Sequence, residues 1–194
     1  MGKFNLDVLK KYLKENVEYS LLETGTFMGE TINKLINHDF FKDFYTIEID
    51  EKRFNNCREM FRKYSNVHLY LGDSSTKIDE IIQKNPDNRF ICWLDAHHMG
   101  DSSKRGNIDC PLIRELDQLK QLHKNPVIFI DDMFYMLNRD DPNYERPKNP
   151  NQWPTYDELI SKLNEINPNY KIITSLIKGK EDYLLAIPYE LALE

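Results

Sequence analysis

The sequence is poor in cysteine and has no long apolar run, and each absence excludes a class of protein. It has three cysteines, Cys57, Cys92 and Cys110, and neither their number nor their spacing is that of a zinc site or a disulfide framework. Unpaired thiols are typical of a reducing compartment. No stretch is long enough to span a membrane, and the start of the chain lacks the apolar core of a signal peptide. We therefore expect a cytoplasmic protein without a membrane partner.

An excess of positive charge is also missing. The net charge is −6 at pH 7, which disfavours a nonspecific nucleic-acid binder held by phosphate contacts. The 194 residues are most simply one domain, residues 1–194, that is large enough to bury a core. Leu6, Leu9 and Leu13 recur at helical spacing and predict an N-terminal helix within residues 1–18. Polar stretches at residues 100–109 and 134–154 are expected to be loops.

Between these stretches, strand and helix patterns alternate. Buried strands are predicted at 20–23, 44–49, 67–71, 90–94 and 126–130, helices at 30–37, 51–64, 76–83, 110–122 and 156–166, and a closing hairpin from 170–177 and 183–187. Such alternation is typical of an α/β protein whose parallel sheet is covered on both faces.

The most informative stretch is 20–31, Ser-Leu-Leu-Glu-Thr-Gly-Thr-Phe-Met-Gly-Glu-Thr, which predicts a buried strand, a glycine turn and a helix. Gly25 and Gly29 lie in the turn, where glycine tolerates a positive φ and lets a ligand approach the backbone. Phe27 stands where the usual dinucleotide fingerprint has its middle glycine. A second strand, 44–50, ends in acids about twenty residues farther on, where ribose hydroxyls are usually bound.

Together, Glu23-Thr-Gly-Thr-Phe-Met-Gly29 and Thr46-Ile-Glu-Ile-Asp50 resemble the motifs of class I S-adenosylmethionine-dependent methyltransferases. The similarity is greatest to metal-dependent O-methyltransferases of the catechol type, whose first motif also carries an aromatic residue between its glycines. It covers roughly Leu21 to Asp132. The resemblance implies S-adenosyl-L-methionine as cofactor and a Rossmann-like fold, with a seven-stranded, mostly parallel sheet, helices on both faces and a C-terminal antiparallel hairpin.

The resemblance also implies roles in cofactor binding. Glu48 would bind the ribose hydroxyls, while Asp50 more plausibly caps the next helix. Asp73, with Ser74, would contact the adenine amino group, although Gly-Asp-Ser is also an ordinary turn. Glu23 would fix the glycine loop or face the methionine end of the cofactor. The complete set of implied cofactor contacts is Glu23, Gly25, Thr26, Phe27, Gly29, Thr31, Glu48, Ile49, Gly72, Asp73, Ser74 and Asp95.

Three carboxylates, Asp95, Asp131 and Asp132, end two of the predicted strands. Oxygen ligands that converge at one sheet edge suit Mg²⁺, Mn²⁺ or another octahedral cation, which could bind a substrate hydroxyl and lower its pKa. Acids after strands also commonly cap turns and helices. The resemblance supports a metal, because the metal-dependent enzymes place an acid after the fourth strand and a pair after the fifth. If the fifth strand continues, Asp131 and Asp132 point opposite ways, so one of them need not be a ligand.

His97 and His98 follow Asp95 and are candidates for the catalytic base. A hydroxyl nucleophile must lose its proton, and a histidine is suited to accept it. In the catechol-type family a lysine lies three positions after the acid, a position that His98 occupies here. His97 competes for the role, because Asp-Ala-His also occurs in sugar-modifying relatives.

The chain departs from the catechol-type pattern in lacking that lysine, in its polar loop after Met99 and in its Pro-Asn-rich insertion. These departures are similar to macrocin-type sugar O-methyltransferases. We therefore expect a divalent-metal-dependent O-methyltransferase that acts on a small hydroxylated acceptor, most simply a sugar or glycan. Two alternatives remain open: a metal-independent methyltransferase with His98 as base, and a catalytically silent nucleotide-binding interaction domain. A homodimer is compatible with either.

Overall fold

The computed structural model describes residues 4–14, 17–97, 106–137, 149–177 and 181–193. The helices are α1 Leu6–Lys10, α2 Glu30–Leu35, α3 Glu51–Phe61, α4 Ser74–Lys84, α5 Leu112–Leu119, α6 Phe134–Leu137 and α7 Tyr156–Ile166. The strands are β1 Tyr19–Thr24, β2 Phe41–Glu48, β3 Val67–Leu71, β4 Phe90–Leu94, β5 Val127–Asp131, β6 Tyr170–Ile177 and β7 Glu181–Pro188. Within the described ranges, no helix combines the length and the apolar composition needed to cross a bilayer.

The strands form one seven-stranded sheet in the order β3-β2-β1-β4-β5-β7-β6. The first five strands along the chain pair in parallel, whereas β7 runs antiparallel to both β5 and β6. The predicted fold is confirmed, including the closing hairpin. Because the parallel strands end at the same edge, the residues after β1, β2, β4 and β5 are brought together there.

Helices cover both faces of the sheet. On one face, here the α5 face, buried residues of α4, α5 and α7 pack together, whereas α1, α2 and α3 pack on the opposite α1 face. Side chains of β4 alternate between the faces: Cys92 and Leu94 lie on the α5 face and Trp93 on the α1 face. The central strands therefore have continuous apolar sequences, as expected for a sheet that is buried on both sides.

The N-terminal helix is shorter than the predicted 1–18. α1 begins at the Asn5 cap, whose side chain accepts hydrogen bonds from the next turn, and ends at Lys10. Leu13 instead forms an isolated antiparallel bridge with Ala192, and the N–H of Lys14 donates to the carbonyl of Leu191 at 2.9 Å. Leu13 is thus buried by pairing with the distant C-terminal segment, which local periodicity cannot reveal.

Several element boundaries also differ from the predictions. β2 begins at Phe41 rather than at the predicted residue 44. The polar Lys42 and Asp43 interrupt the apolar pattern of the sequence, but Phe41 still pairs with Tyr19 of β1. α4 begins at Ser74 rather than at residue 76, since Asp73 caps it. In the predicted 134–154 loop, residues 134–137 are the single-turn helix α6 and residues 150–152 form a short 3-10 helix. Residues 138–148 and 100–105 of the predicted loops, and the turn at 178–180, lie outside the described residues.

Candidate active site at the carboxyl edge of the sheet

The glycine turn after β1 is packed directly against the end of β4. Gly25 has a φ of +85°, and its N–H donates to the carbonyl of Ile47 at 3.0 Å. A Cβ at Gly25 would lie 2.6 Å from the carbonyl oxygen of Asp95. Gly29 has a φ of +73°, and its Cβ would lie 2.8 Å from the ring of Phe61. Both glycines are therefore required by backbone conformation and by close packing.

Phe27 holds the middle of the turn in a left-handed conformation, with a φ of +51°. Its ring lies under the guanidinium of Arg53, 4.4 Å from the ring centroid, and its N–H donates to Oε2 of Glu48 at 2.8 Å. The other oxygen of Glu48 accepts the N–H of Asp50, also at 2.8 Å. Each carboxylate oxygen can accept more than one hydrogen bond, so Glu48 can still receive the hydroxyls of a ribose.

Glu23 lies beneath this turn and is almost fully buried, at 1% exposure. Its carboxylate accepts a hydrogen bond from the Thr46 hydroxyl at 2.7 Å, and that hydroxyl lies 2.6 Å from the hydroxyl of Thr26. Burial raises the pKa of Glu23 to about 7, against the opposing hydrogen bonds of Thr46 and Thr31. These contacts link β1, β2 and α2, which corresponds to the first of the two predicted roles, fixing the loop.

Asp73 is first of all a helix cap. Its Oδ1 accepts hydrogen bonds from the N–H of Ser75 at 2.9 Å and from the Ser75 hydroxyl at 2.7 Å. Gly106 lies over the other oxygen, because a Cβ there would be 2.6 Å from Oδ2 and 3.5 Å from the side chain of Ile49. Gly106 thus lies close to two of the predicted cofactor contacts, Ile49 and Asp73, of which Asp73 is the predicted adenine contact. Sequence reasoning missed this residue, and its only signal was a glycine in a polar loop.

At the ends of β4 and β5, three side chains converge. Nε2 of His97 lies 3.6 Å from Oδ1 of Asp95 and 3.3 Å from Oδ2 of Asp132. One ligand-type atom from each residue lies within 4.8 Å of the others. Asp132 has a φ of +56°, so the chain turns away from the direction of β5 at this residue. The backbone of Asp95 is fixed by hydrogen bonds from its N–H to the carbonyl and hydroxyl of Thr24.

Asp131, the third predicted metal ligand, is not part of this convergent group. It is 2% exposed, it is the last residue of β5, and it pairs with Tyr183 of β7. Its Oδ2 has no hydrogen-bond partner among the described residues. Burial, together with the neighbouring charge of Asp132, raises the pKa of Asp131 to about 6. The structure therefore brings together two of the three predicted ligands and adds His97 to them.

The charged or ionisable members of this group alter one another's pKa values. Burial raises the pKa of Asp95 well above its ordinary value, although His97 opposes the shift. Burial would lower the pKa of His97, but its contacts with Asp132 and Cys110 and the charge of Asp95 outweigh this and raise the pKa. Burial alone would raise the pKa of Asp132, but the contact with His97 outweighs this effect and lowers the pKa. Nε2 of His97 thus lies between the carboxyl groups of Asp95 and Asp132.

The imidazole of His97 is held by its surroundings. Its side chain is 3% exposed, and the ring of Trp153 packs on it with centroids 4.9 Å apart. Tyr135 lies against Trp153, with centroids 5.4 Å apart. Trp153 and Tyr135 belong to the segment that was predicted to flank the site. His98, the other candidate base, lies outside the described residues.

Sequence reasoning also missed Glu115. This α5 residue is 1% exposed, and burial raises its pKa to about 7 despite hydrogen bonds from Ser74 and Thr24 and the charge of His97. It therefore lies between the predicted adenine site and the convergent group. The available signal was a carboxylate three residues after Leu112, on the apolar stripe of the helix.

No protein-family model and no curated protein matches the sequence. Among solved structures, the chain is similar to an S-adenosylmethionine-dependent methyltransferase from Aquifex aeolicus, with 18% identity, a TM-score of 0.54 and coverage of 94% of this chain and 88% of that chain. The chain has the fold of the Rossmann-like methyltransferases. A Podospora anserina methyltransferase bound to S-adenosylhomocysteine is similar at 16% identity and a TM-score of 0.56, over 86% of this chain and 70% of that chain.

The cyclase SpnF is also similar, with 13% identity and a TM-score of 0.56 over 86% of this chain. The match covers 56% of SpnF, so the present chain spans only about half the length of that protein. At these identities the likeness shows the fold alone. The reaction has to be argued from the residues of the site.

Proposed function

We propose that this protein is an S-adenosylmethionine-dependent O-methyltransferase that uses a divalent cation and methylates a hydroxyl of a small acceptor, a sugar or glycan. One observation carries the proposal: Asp95 belongs to two structures at once. Its carbonyl oxygen packs on the glycine turn at Gly25, while its carboxylate joins His97 and Asp132. The glycine turn, which would hold the nucleoside part of the cofactor, therefore lies next to the group of side chains that would hold the cation.

The cofactor part of the proposal rests on Glu48 and the turn. Phe27 and Asp50 orient the Glu48 carboxylate through their N–H groups, which prepares it for the ribose hydroxyls. The side chain of Ile49 and the carboxylate of Asp73 would contact the adenine, which requires Gly106 to move from its present position against both side chains. S-adenosylmethionine supplies an electrophilic methyl group, and its sulfur leaves as a neutral thioether, so no protein acid is needed for that step.

The cation part rests on the donor set. Asp95 and Asp132 would hold the cation, and both have carboxylate oxygens within 4 Å of a buried nitrogen that has no hydrogen-bond partner among the described residues. A divalent cation there supplies a Lewis acid that lowers the pKa of a bound hydroxyl. The chain would orient the acceptor and exclude water, and His97 or His98 would accept its proton.

The acceptor part rests on aromatic side chains near this group. Trp153 packs on His97, and Tyr135 packs on Trp153. Trp153 is buried and supports the partly exposed Tyr135, whose ring beside hydrogen-bonding groups is suited to the apolar faces and hydroxyls of a sugar ring. Both aromatic residues come from the segments that flank the proposed cation.

The test is transfer of a labelled methyl group from S-adenosylmethionine to a panel of free sugars, sugar nucleotides, oligosaccharides and catechols. We expect label on a sugar hydroxyl, loss of transfer with a chelator, and recovery on addition of Mn²⁺ or Mg²⁺. Asp95→Ala should abolish transfer while the affinity for S-adenosylhomocysteine changes by less than about twofold, because the Asp95 carboxylate is assigned to the cation. An equal loss of both would contradict that assignment.

A matched control is available at the opposite edge of the sheet. Asp39 is exposed and precedes β2, so Asp39→Ala should leave transfer and cofactor affinity unchanged. Cofactor binding without transfer to any acceptor would favour an interaction domain instead.

A second candidate, a methyltransferase without a metal, is favoured by one observation. Nε2 of His97 already lies within 3.6 Å of a carboxyl oxygen of both Asp95 and Asp132, so the imidazole can act as their partner without a cation. In that case His98 would be the base and the acids would be structural. Transfer that survives exhaustive chelation would establish this alternative.

A further inference from the structure

His97 Nε2 is a buried polar atom that lies beside two acids without a hydrogen bond of good geometry to either. The side chain is 3% exposed, and Nε2 has no hydrogen-bond partner among the described residues. An unpaired buried polar atom costs about 1 to 3 kcal/mol, so such an atom at a site edge requires an explanation. The nearest acceptors, on Asp132 and Asp95, are 3.3 and 3.6 Å away, whereas charge-assisted hydrogen bonds are about 2.7 to 2.9 Å long.

These separations are compatible with three atoms that share a cation. Ligand atoms about 2.1 Å from a six-coordinate ion lie about 3 Å apart when adjacent and about 4.2 Å apart when opposite. The His97 nitrogen and the oxygens of Asp95 and Asp132 all lie within 4.8 Å of one another. One small cation can therefore contact all three after shifts of a few tenths of an ångström, and its other positions stay open for water or acceptor oxygens.

Side chains of β5 alternate between the two faces of the sheet, and this alternation directs Asp131 away from His97. Ile130 lies on the α5 face and Phe129 on the α1 face, so Asp131 falls on the α1 face, opposite Tyr183. Cys110 and Trp153, which contact His97, belong to the α5 face. Asp132 departs from the strand through its positive φ of 56° and can therefore approach His97.

We propose that His97, and not Asp131, is the third protein ligand of the cation, which is a transition metal such as Mn²⁺, Fe²⁺ or Co²⁺ rather than Mg²⁺. Imidazole nitrogen suits first-row transition metals such as Fe²⁺, whereas Mg²⁺ prefers oxygen ligands and water. Mn²⁺ also favours oxygen ligands but accepts a nitrogen ligand, so it can serve as the probe. The role of this metal in methyl transfer rests on the proposed function, but its binding does not. With its nitrogen on the metal, His97 is no longer available as the base.

The packing around the ring supports this role. Trp153 packs on the imidazole and the Cys110 thiol contacts it, so the ring is held in one orientation from the α5 face. Metal-binding histidines are usually fixed in this way by neighbours of the ring, which reduces the cost of ordering the ligand.

The direct test is pulsed electron paramagnetic resonance of the purified full chain loaded with Mn²⁺, read for coupling to a coordinated ¹⁴N nucleus. We expect nitrogen coupling in the wild-type protein and its loss in His97→Gln, with the coupling retained in His38→Gln. His38 is exposed and precedes β2, so that variant is a matched control. No nitrogen coupling in the wild type would overturn the inference. Coupling that survives in His97→Gln and disappears in His98→Gln would also overturn it.

The affinity test compares two variants. His97→Gln should weaken Mn²⁺ and Co²⁺ binding at least about tenfold, equivalent to 1.4 kcal/mol, while Asp131→Asn changes it by less than about threefold. The reverse order would overturn the inference. S-adenosylhomocysteine titrated into each variant reports on folding and on the proposed function separately: we expect both variants to bind it, and its failure to bind the wild type would remove the methyltransferase proposal but not the metal site.

Discussion

The two halves of the candidate site differ in how completely the protein satisfies its own polar groups. The cofactor half comprises Glu23, Phe27, Glu48 and Asp73, and the acid half comprises Asp95, His97, Asp131 and Asp132. In the cofactor half, all three carboxylates accept hydrogen bonds from nearby N–H or hydroxyl groups. In the acid half, Asp131 and His97 each retain a buried atom with no hydrogen-bond partner among the described residues.

This difference indicates two kinds of preparation for a ligand. Groups already fixed by the protein need little reorganisation when the cofactor arrives, which favours binding. The His97 nitrogen, left unpaired at the end of β4, gains a partner when a cation enters. We therefore expect the cofactor half to bind its ligand without help, and the acid half to gain stability from a cation.

The largest expected effect comes from Gly25→Ala, because this position joins the halves. The left-handed φ of +85° and a Cβ 2.6 Å from the Asp95 carbonyl should together cost about 4 kcal/mol of unfolding free energy. Chemical denaturation measures this cost, and both S-adenosylhomocysteine and Mn²⁺ should bind more weakly. Gly72→Ala is the comparison: its φ of +145° is also strained, but its Cβ would meet only the flexible Lys77 side chain, so it should lack the packing part of the cost. Equal costs for the two substitutions would contradict the close packing of the halves.

The next effect concerns Glu23 and pH. Its pKa is about 7 in the folded protein and ordinarily 4.5, so the folded state holds a proton that the unfolded state has lost between these values. Stability from this group is full below pH 4.5 and is lost as the pH rises through 7, by about 3 kcal/mol in total. Glu23→Gln should remove this dependence, so the variant gains relative to the wild type between pH 5 and 8.

Denaturation at several pH values measures this gain. The exposed Glu59 of α3 provides the control, and Glu59→Gln should leave the pH dependence as it is. Parallel curves for the wild type and Glu23→Gln would show that Glu23 does not titrate in this range.

A smaller effect is expected at Glu48, confined to the cofactor half. Removing one charged acceptor from the ribose should weaken S-adenosylhomocysteine binding in Glu48→Gln by about 1.5 to 3 kcal/mol, roughly tenfold or more. Mn²⁺ binding should not change, because Glu48 is not among the convergent residues. Calorimetric titration of each ligand gives both values. Weaker Mn²⁺ binding in this variant would mean that the halves are not separable.

The smallest effect is expected at a distance from both halves. Lys162 of α7 pairs with Asp117 of α5 at 2.9 Å on the surface. An exposed pair contributes roughly 0.2 to 1 kcal/mol, so Lys162→Ala should lower stability by that amount and leave both ligands unaffected. A change in the affinity for S-adenosylhomocysteine or for Mn²⁺ would show that residues away from the sheet edge contribute to ligand binding.

The cofactor half was largely predictable because its signals are local. Gly25 and Gly29 lie between a strand and a helix, and each has the positive φ that their type and position indicated. The predicted cap at Asp50 is confirmed by a hydrogen bond from the N–H group of Arg53. Turn and cap chemistry depends on residues a few positions apart, which a sequence displays directly.

The acid half was only partly predictable because its geometry depends on tertiary contacts. The sequence placed Asp95, Asp131 and Asp132 at strand ends, but the left-handed turn at Asp132 and the packing of His97 on Trp153 involve separate elements. The predicted length of the N-terminal helix was wrong for the same reason, since Leu13 pairs with Ala192 at the other end of the chain. Periodicity reports which residues are buried and not what buries them.

The central claim is that the cofactor half binds the methyl donor by itself while the acid half binds a cation. The most direct measurement is calorimetric titration of the purified protein with S-adenosylmethionine and S-adenosylhomocysteine, with and without Mn²⁺ after chelation, with NAD as control. We predict that both sulfur compounds bind with nearly the same affinity in either condition, that Mn²⁺ gives a separate isotherm which Asp95→Ala removes, and that NAD does not bind. Absence of binding by both sulfur compounds would contradict the account and leave an α/β fold with a different ligand.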